Sequence, residues 1–380
     1  MSNRFLPLAA LLLAACPAPT PPSITPLDAA RDVPSDLAAP AAPSDLAAPV
    51  VPSDLAVRTC PPVEVGLAFR SFVAALGPAM QKIAPSGSNA LAVPDAPTRD
   101  DFARAVIAAL DGDARAACDL PPPYSLLHAT DPTAGDVLVV AEVDNMGMPA
   151  PQRLWGTYAA LQKPSAAPAR ALVFEAPHPI FDSNTENQTA AVFAAARGRY
   201  LLIAGSHRCT DDAPSPCDGT TTACGGARGP YRISDAAHAI TLPFFTIHAR
   251  LSMAHPDMTF IQLHGNAASC PDALVSDSSG IWTANSPAGQ MAAALEQAGA
   301  TIGRCGTGGG YPTQGCDLCG GDNVQARFTA GAADACTGRG TTYGRFIHIE
   351  QLAGLRAAPA GNKRGWQPMI DAVLAVFPAN

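Results

Sequence analysis

Lysine is scarce in this chain. Only Lys82, Lys163 and Lys363 stand among 24 basic residues, against 32 acidic ones, for a formal charge of -8. No basic block of the kind that neutralises phosphates is visible, so nucleic-acid binding is disfavoured. Aromatic residues reach only 6%, and alanine supplies much of the 48% apolar content. Beyond the first fifteen residues no apolar run is long enough to span a bilayer, which argues against an integral membrane protein. A Gly-x-Ser-x-Gly nucleophile elbow is missing, and the glycine-rich stretch 306–310 is not followed by the Lys-Ser/Thr of a phosphate cradle.

Proline, by contrast, is abundant at 38 residues, and its distribution divides the chain. Residues 1–15 carry Arg4 and then an apolar run, the pattern of a secretory signal. The sequence Leu13-Ala14-Ala15-Cys16 resembles a bacterial lipobox, which implies lipidation of Cys16 (a palmitate-bearing lipoprotein) and anchorage to a membrane. Pro17, in place of aspartate, implies outer-membrane sorting, facing the periplasm or cell surface. Residues 16–59 form a tether: ten prolines and no aromatic occur in 17–59, and Pro-Ser-Asp-Leu recurs every nine residues from Pro34, Pro43 and Pro52. Such a stretch buries too little surface to offset its ordering entropy. Ten cysteines remain after Cys16, an even number that in an oxidising compartment predicts up to five disulfides, with Cys60 and Cys118 a candidate pair. Cys316-Asp-Leu-Cys319 has redox or zinc-ribbon spacing, but no second close pair accompanies it, and disulfide duty is the expectation.

Helical patterns at 67–83 and 99–110 make residues 60–123 a small helical extension. From 124 to 380 strands and helices alternate. Strands are expected at 136–143, 171–175, 200–205, 258–264 and 345–349, with helices at 186–197, 235–254, 288–298 and 366–376. This predicts a three-layer α/β domain, a mainly parallel sheet with helices on both faces, stapled by disulfides. Ligands of such sheets gather at the carboxyl ends of the strands. There the sequence delivers His178, His207 with Arg208, His264, and His348 with Glu350.

Zinc hydrolysis needs imidazole or carboxylate donors and an open position. His178 and His264 fit as ligands from two strand ends. Glu186, opening the next helix, is preferred as third ligand, with Asp182 competing. Glu350 is the expected general base. Arg208 either holds an acidic group or oxyanion, or serves a structural salt bridge. His248 borders the site in this reading, His255 faces solvent, and His128 and His238 are structural. Pairing Glu175 with Glu350 as glycosidase carboxylates would leave the histidines unexplained.

The segments Phe174-Glu-Ala-Pro-His178, Glu186, Gly205-Ser-His-Arg208, Gln262-Leu-His264-Gly-Asn-Ala267 and Phe346-Ile-His-Ile-Glu350 occur in a telling order. They resemble zinc-dependent amidohydrolases of the phosphorylase/hydrolase-like fold. His178, Glu186, His264-Gly-Asn-Ala267 and Glu350 match the N-acetylmuramoyl-L-alanine amidase pattern. Pro177-His178, Arg208, His248, His264 and Glu350 match that of N-formylglutamate amidohydrolases. Pro-His-Pro-Ile replaces the muramoyl-amidase Gly-His-Gly-Gly, and the other branch is cytoplasmic. The resemblance implies zinc, the same donors and an amide bond, in a peptidoglycan-type or small acidic substrate. The competing class is a non-catalytic surface lipoprotein that binds glycan or peptide on a decayed hydrolase fold.

Overall fold

Neighbouring residues of the central strands point into two different cores. In the strand Gly198–Ile203, Tyr200 and Leu202 join one apolar cluster, and Leu201 and Ile203 the other. Leu172 and Phe174 are separated from Val173 in the same way, as is Ile261 from Phe260. A strand buried on both faces cannot show polar alternation, so a sheet sandwiched between helices follows.

The computed structural model describes residues 59–162, 168–266, 270–309, 316 and 318–379. The secretory segment, Cys16, the tether up to Arg58, and Ala267 lie outside these. In chain order the elements are β1 (Val63–Glu64), α1 (Phe69–Ile83), α2 (Ala96–Leu110), β2 (Tyr124–Asp131), β3 (Gly135–Glu142), β4 (Thr157–Leu161) and β5 (Arg170–Ala176). Then come α3 (Thr185–Ala196), β6 (Gly198–Ile203), β7 (Thr220–Thr221), β8 (Gly229–Pro230), α4 (Pro243–Ala254), β9 (Thr259–Gly265) and β10 (Ala273–Ser276). Last are α5 (Pro287–Gln297), β11 (Ile302–Arg304), α6 (Val324–Thr329), β12 (Phe346–Gln351), α7 (Ala353–Arg356) and α8 (Gln367–Val376).

Ten strands form one sheet in the order β1-β2-β3-β4-β6-β5-β9-β12-β10-β11, with β7 and β8 a separate hairpin. The centre, β6-β5-β9-β12, is parallel throughout, and antiparallel pairs flank it at β4-β6 and β12-β10. Helices α1, α3, α5 and α8 cover one face; α2, α4 and α6 cover the other. The three-layer α/β class read from the sequence is therefore present. The segment 60–123 contributes α1 and α2, one to each helical layer. Among the described residues no helix is long and apolar enough to cross a membrane.

Two expectations need correction. The helix expected over 235–254 starts at Pro243, because a proline lacking its N–H suits a first turn and not a helix interior. Residues 235–242 are turns, and this frees Asp235 for another role. The strands β2, β4, β10 and β11 were not among those expected; β4, Thr-Tyr-Ala-Ala-Leu, is buried along its whole length and shows no alternation.

Five disulfides join Cys60–Cys118, Cys209–Cys224, Cys217–Cys336, Cys270–Cys316 and Cys305–Cys319. Cys316 and Cys319 thus pair with different partners, as expected of structural cysteines. The last four bridges tie the long loops above the carboxyl ends of β5, β9 and β12 and limit the freedom those loops would otherwise have.

Candidate metal centre

On the face covered by α2, α4 and α6, the chemistry of the strands changes along their length. Val173, Phe260 and Phe346 pack in the core. Two residues further on, at the same pleat position, stand Glu175, Gln262 and His348, a cross-strand row fixed by the register. His264 and Glu350 form the next pair. Each strand therefore enters as core and ends as site.

His178 lies just past β5. Ile180 follows at φ 72°, a left-handed conformation that a β-branched residue adopts only at a cost. The tight turn closes with Asp182 N–H donating to the His178 carbonyl at 3.0 Å, and it carries the Asp182 carboxylate back to the imidazole. Asp182 Oδ2 lies 3.1 Å from His178 Nδ1 and 3.7 Å from His264 Nδ1, and the two Nδ1 atoms are 3.2 Å apart. Donors about 2.05 Å from a tetrahedral zinc are separated by about 3.3 Å. The three atoms describe such a triangle.

The opposite ring nitrogens settle which lone pairs are free. His178 Nε2 lies 2.8 Å from Asp235 Oδ1. His264 Nε2 lies 2.7 Å from Gln262 Oε1. The Gln262 amide donates to Glu175 Oε2 at 3.0 Å, so its oxygen must accept from His264 and from Asn323. Glu175 is held in turn by His248 Nδ1 at 2.7 Å, and His248 Nε2 meets Thr329 Oγ1 at 2.8 Å. Both ligand candidates therefore carry the proton on Nε2 and present Nδ1 to the common point. Metal-binding histidines are usually oriented in this way by a second hydrogen bond.

The two imidazoles differ in their electrostatics, and only His264 is held in the neutral form that a metal donor needs. Burial and the Arg208 charge press the His178 pKa down, but Asp235 and Asp182 together outweigh them and raise it. Burial, followed by the neighbouring His348, His178 and Arg208, holds His264 well below the usual histidine range. For Asp235 burial acts upward, yet Arg208, His238 and His178 hold the carboxyl well below its ordinary value. Behind Asp182, the buried Arg356 lies across Gly265, where any side chain would collide with its guanidinium.

Glu350 faces the same point. Its Oε1 is 3.9 Å from His264 Nδ1 and 3.6 Å from His348 Nε2, and its Oε2 is buried without a hydrogen-bond partner among the described residues. Burial first, and then repulsion from Asp182, raises its pKa well above the glutamate range. His348, also buried, is pulled down to about 3, chiefly by burial and then by His238 and His178. Gly320 closes over its ring at φ 66°, where an added Cβ would stand 2.8 Å from Cγ.

A depressed histidine pKa means the unfolded chain binds a proton that the fold refuses, so stability falls as pH drops below about 6.5. In the metal-free protein, the unfolding free energy of wild type relative to His348→Asn should fall by about 2 kcal/mol between pH 7 and pH 5. Parallel urea titrations of the two proteins check this, and a pH-independent difference would show that His348 protonates inside the fold.

Glu186 is not brought to this cluster, which corrects its expected place. It opens α3, a helix of the opposite face, and its side chain turns toward α1, where a Cβ on Gly77 would stand 3.1 Å from Oε1. Oε1 accepts from Asn187 at 3.1 Å. Asp182 occupies the third corner instead. Arg208 is in the cleft but engaged: Nε donates to Asp235 Oδ2 at 3.0 Å, and Nη2 donates to the same oxygen. His238, read as structural, lines the cleft, bonded to Asp235 and stacked on Tyr231 at 3.6 Å. His248 and Glu175 lie beneath the site in the core. Asp235 and Gln262 are the positioning residues that sequence reasoning missed. The cleft above the cluster, about 530 Å³, is lined by His178, His264, His348 and Glu350 and roofed by the disulfide-tied loops.

No protein-family model and no curated protein matches the chain. Among solved structures, an N-formylglutamate amidohydrolase from Ralstonia eutropha JMP134 is similar at TM-score 0.34 and 18% identity, over 56% of this chain and 93% of its own. A bacteriophage poly-gamma-glutamate hydrolase gives 0.33 and 11%, over 55% and 84%. A metallo-carboxypeptidase from Burkholderia cenocepacia gives 0.33 and 12%, over 71% and 66%.

Proposed function

We propose that this protein hydrolyses an amide bond with one zinc ion held by His178, Asp182 and His264, and with Glu350 as general base. The observation that supports it is the triangle of two Nδ1 atoms and one carboxylate oxygen, with a buried, unpaired carboxylate beside it. Zinc bound there supplies a Lewis acid and makes water a better nucleophile. Asp235 and Gln262 keep the imidazoles in the ligating tautomer. Glu350, inclined by burial to hold a proton, takes one from the attacking water and delivers it to the departing amine.

The substrate we propose is an acidic or peptidoglycan-derived amide outside the cytoplasm. The lipobox-like Cys16, the tether and the five disulfides support an exported lipoprotein, anchored by its lipid in an outer membrane.

Metal analysis of the purified protein tests the centre. Wild type should carry roughly one zinc per chain, Asp182→Ala less than about 0.2, and Glu186→Gln as much as wild type. Metal loss in Glu186→Gln with retention in Asp182→Ala would reverse the ligand assignment. No zinc in wild type would leave the glycan- or peptide-binding reading.

A further inference from the structure

Arg208, the arginine expected to hold an acidic group, is not free to recognise substrate. Arg208 is committed to Asp235 through Nε and Nη2, and its side chain is only 11% exposed. Two other arginines, Arg228 and Arg339, line the same cleft. Both are exposed, and neither has an ion pair or hydrogen bond with another described residue. The acidic groups lining the cleft do not answer them: Glu350 is at its floor, and Asp322 is bound by Arg327 Nη2 at 3.0 Å.

The position of Arg339 is built into the loops. A Cβ on Gly321 would stand 3.2 Å from its Nη2, and one on Gly280 would stand 3.6 Å from its Nη1. Two glycines thus let the guanidinium lie against backbone. Arg228 follows Cys224 and Arg339 follows Cys336, and the bridges Cys209–Cys224 and Cys217–Cys336 fasten the two loops. In a chain of net charge -8, uncompensated guanidinium groups at a cleft attract an anion against the overall field.

We propose that Arg339 and Arg228 form a carboxylate-binding subsite and determine specificity for an acidic substrate, a role that Arg208 does not fill. The inference rests on the amide-hydrolase reading, which it deepens. A guanidinium fork matches a carboxylate in paired hydrogen bonds. The loops therefore select the substrate, and the strand ends beneath them cut it.

The test uses glutarate as probe and isothermal titration calorimetry on the full chain without metal, so it does not depend on hydrolysis. Glutarate should bind wild type, and Arg339→Met should weaken it by about tenfold to a hundredfold, with Arg228→Met additive to it. Arg339→Lys should recover only part of the loss. Unchanged binding in the Arg228→Met/Arg339→Met double variant, with an unfolding midpoint equal to wild type, would overturn the subsite even if zinc and hydrolysis are found. Inorganic phosphate binding more tightly than glutarate would overturn the carboxylate assignment. Arginine-dependent glutarate binding in a protein that takes no zinc would uphold the subsite and sink the hydrolase reading alone.

Discussion

Glu350→Gln should lower amide turnover by about two to four orders of magnitude while leaving zinc content unchanged. Glutamine keeps the shape of the side chain and removes only its capacity to hold and release a proton. The metal should stay because the donor triangle is complete without Glu350, whose nearer oxygen is 3.9 Å from His264 Nδ1. Stability should not fall. The wild-type carboxylate is buried, has an unpaired Oε2 and is repelled by Asp182, so its ionised form is a cost that the amide avoids. The experiment compares single-turnover rates on cell-wall fragments and N-acyl amino acids, zinc by atomic absorption, and thermal unfolding. One result would redraw the site: loss of zinc along with activity. His264, His348 and Glu350 also place one donor atom each within 4.8 Å of one another, and zinc loss would mean the metal sits there. A single Nδ1 of His264 cannot ligate in both places, so the variant separates the two arrangements.

Much of the site was legible because strand ends advertise themselves. Phe260-x-Gln262-x-His264 and Phe346-x-His348-x-Glu350 each change from apolar to polar at period two, and they lie on the paired strands β9 and β12. The third corner was not legible. Asp182 and Glu186 differ in which face of the sheet their turn or helix serves, and that depends on α3 packing against α1. The Ile180 turn that returns Asp182 to His178 has no glycine or Asn-Gly to announce it. Asp235 is hidden as long as 235–254 is taken for one helix across Pro243. Of the disulfides, Cys60–Cys118 was a pair the sequence offered, and the other four were not legible: Cys217 and Cys336 are 119 residues apart and meet only because two loops close over one cleft.

Asp235→Asn should destabilise the protein by about 3–5 kcal/mol, the usual loss when one partner of a buried ion pair is removed. Its effect should also reach the metal, weakening zinc binding by about tenfold to a hundredfold. Asp235 is fully buried and serves three cations or potential cations: Oδ2 takes Arg208, and Oδ1 lies 2.8 Å from His178 Nε2 and 2.9 Å from His238 Nδ1. An asparagine can turn its oxygen toward Arg208 or toward the histidines, but not both. In either orientation its NH2 faces a donor, and the Arg208 charge remains without a counter-ion. If the amide faces His178, that ring must carry its proton on Nδ1, the atom aimed at the metal. The sign with pH follows from the lowered carboxyl pKa: the contribution is complete above the unfolded value of about 3.9 and is lost only as pH falls through the folded one. Between pH 5 and pH 8 the carboxyl part is constant, but Asp235 also raises the His178 pKa, so the difference from wild type should be larger at pH 5 than at pH 8. Urea unfolding across that range measures the first effect, and zinc competition with a chelator the second. Adding Arg208→Met to Asp235→Asn removes the stranded charge and should restore part of the stability, while zinc affinity stays low because His178 is still unoriented. Recovery of both together would mean that Asp235 acts on the metal only through Arg208, and that the His178 contact carries no orienting effect.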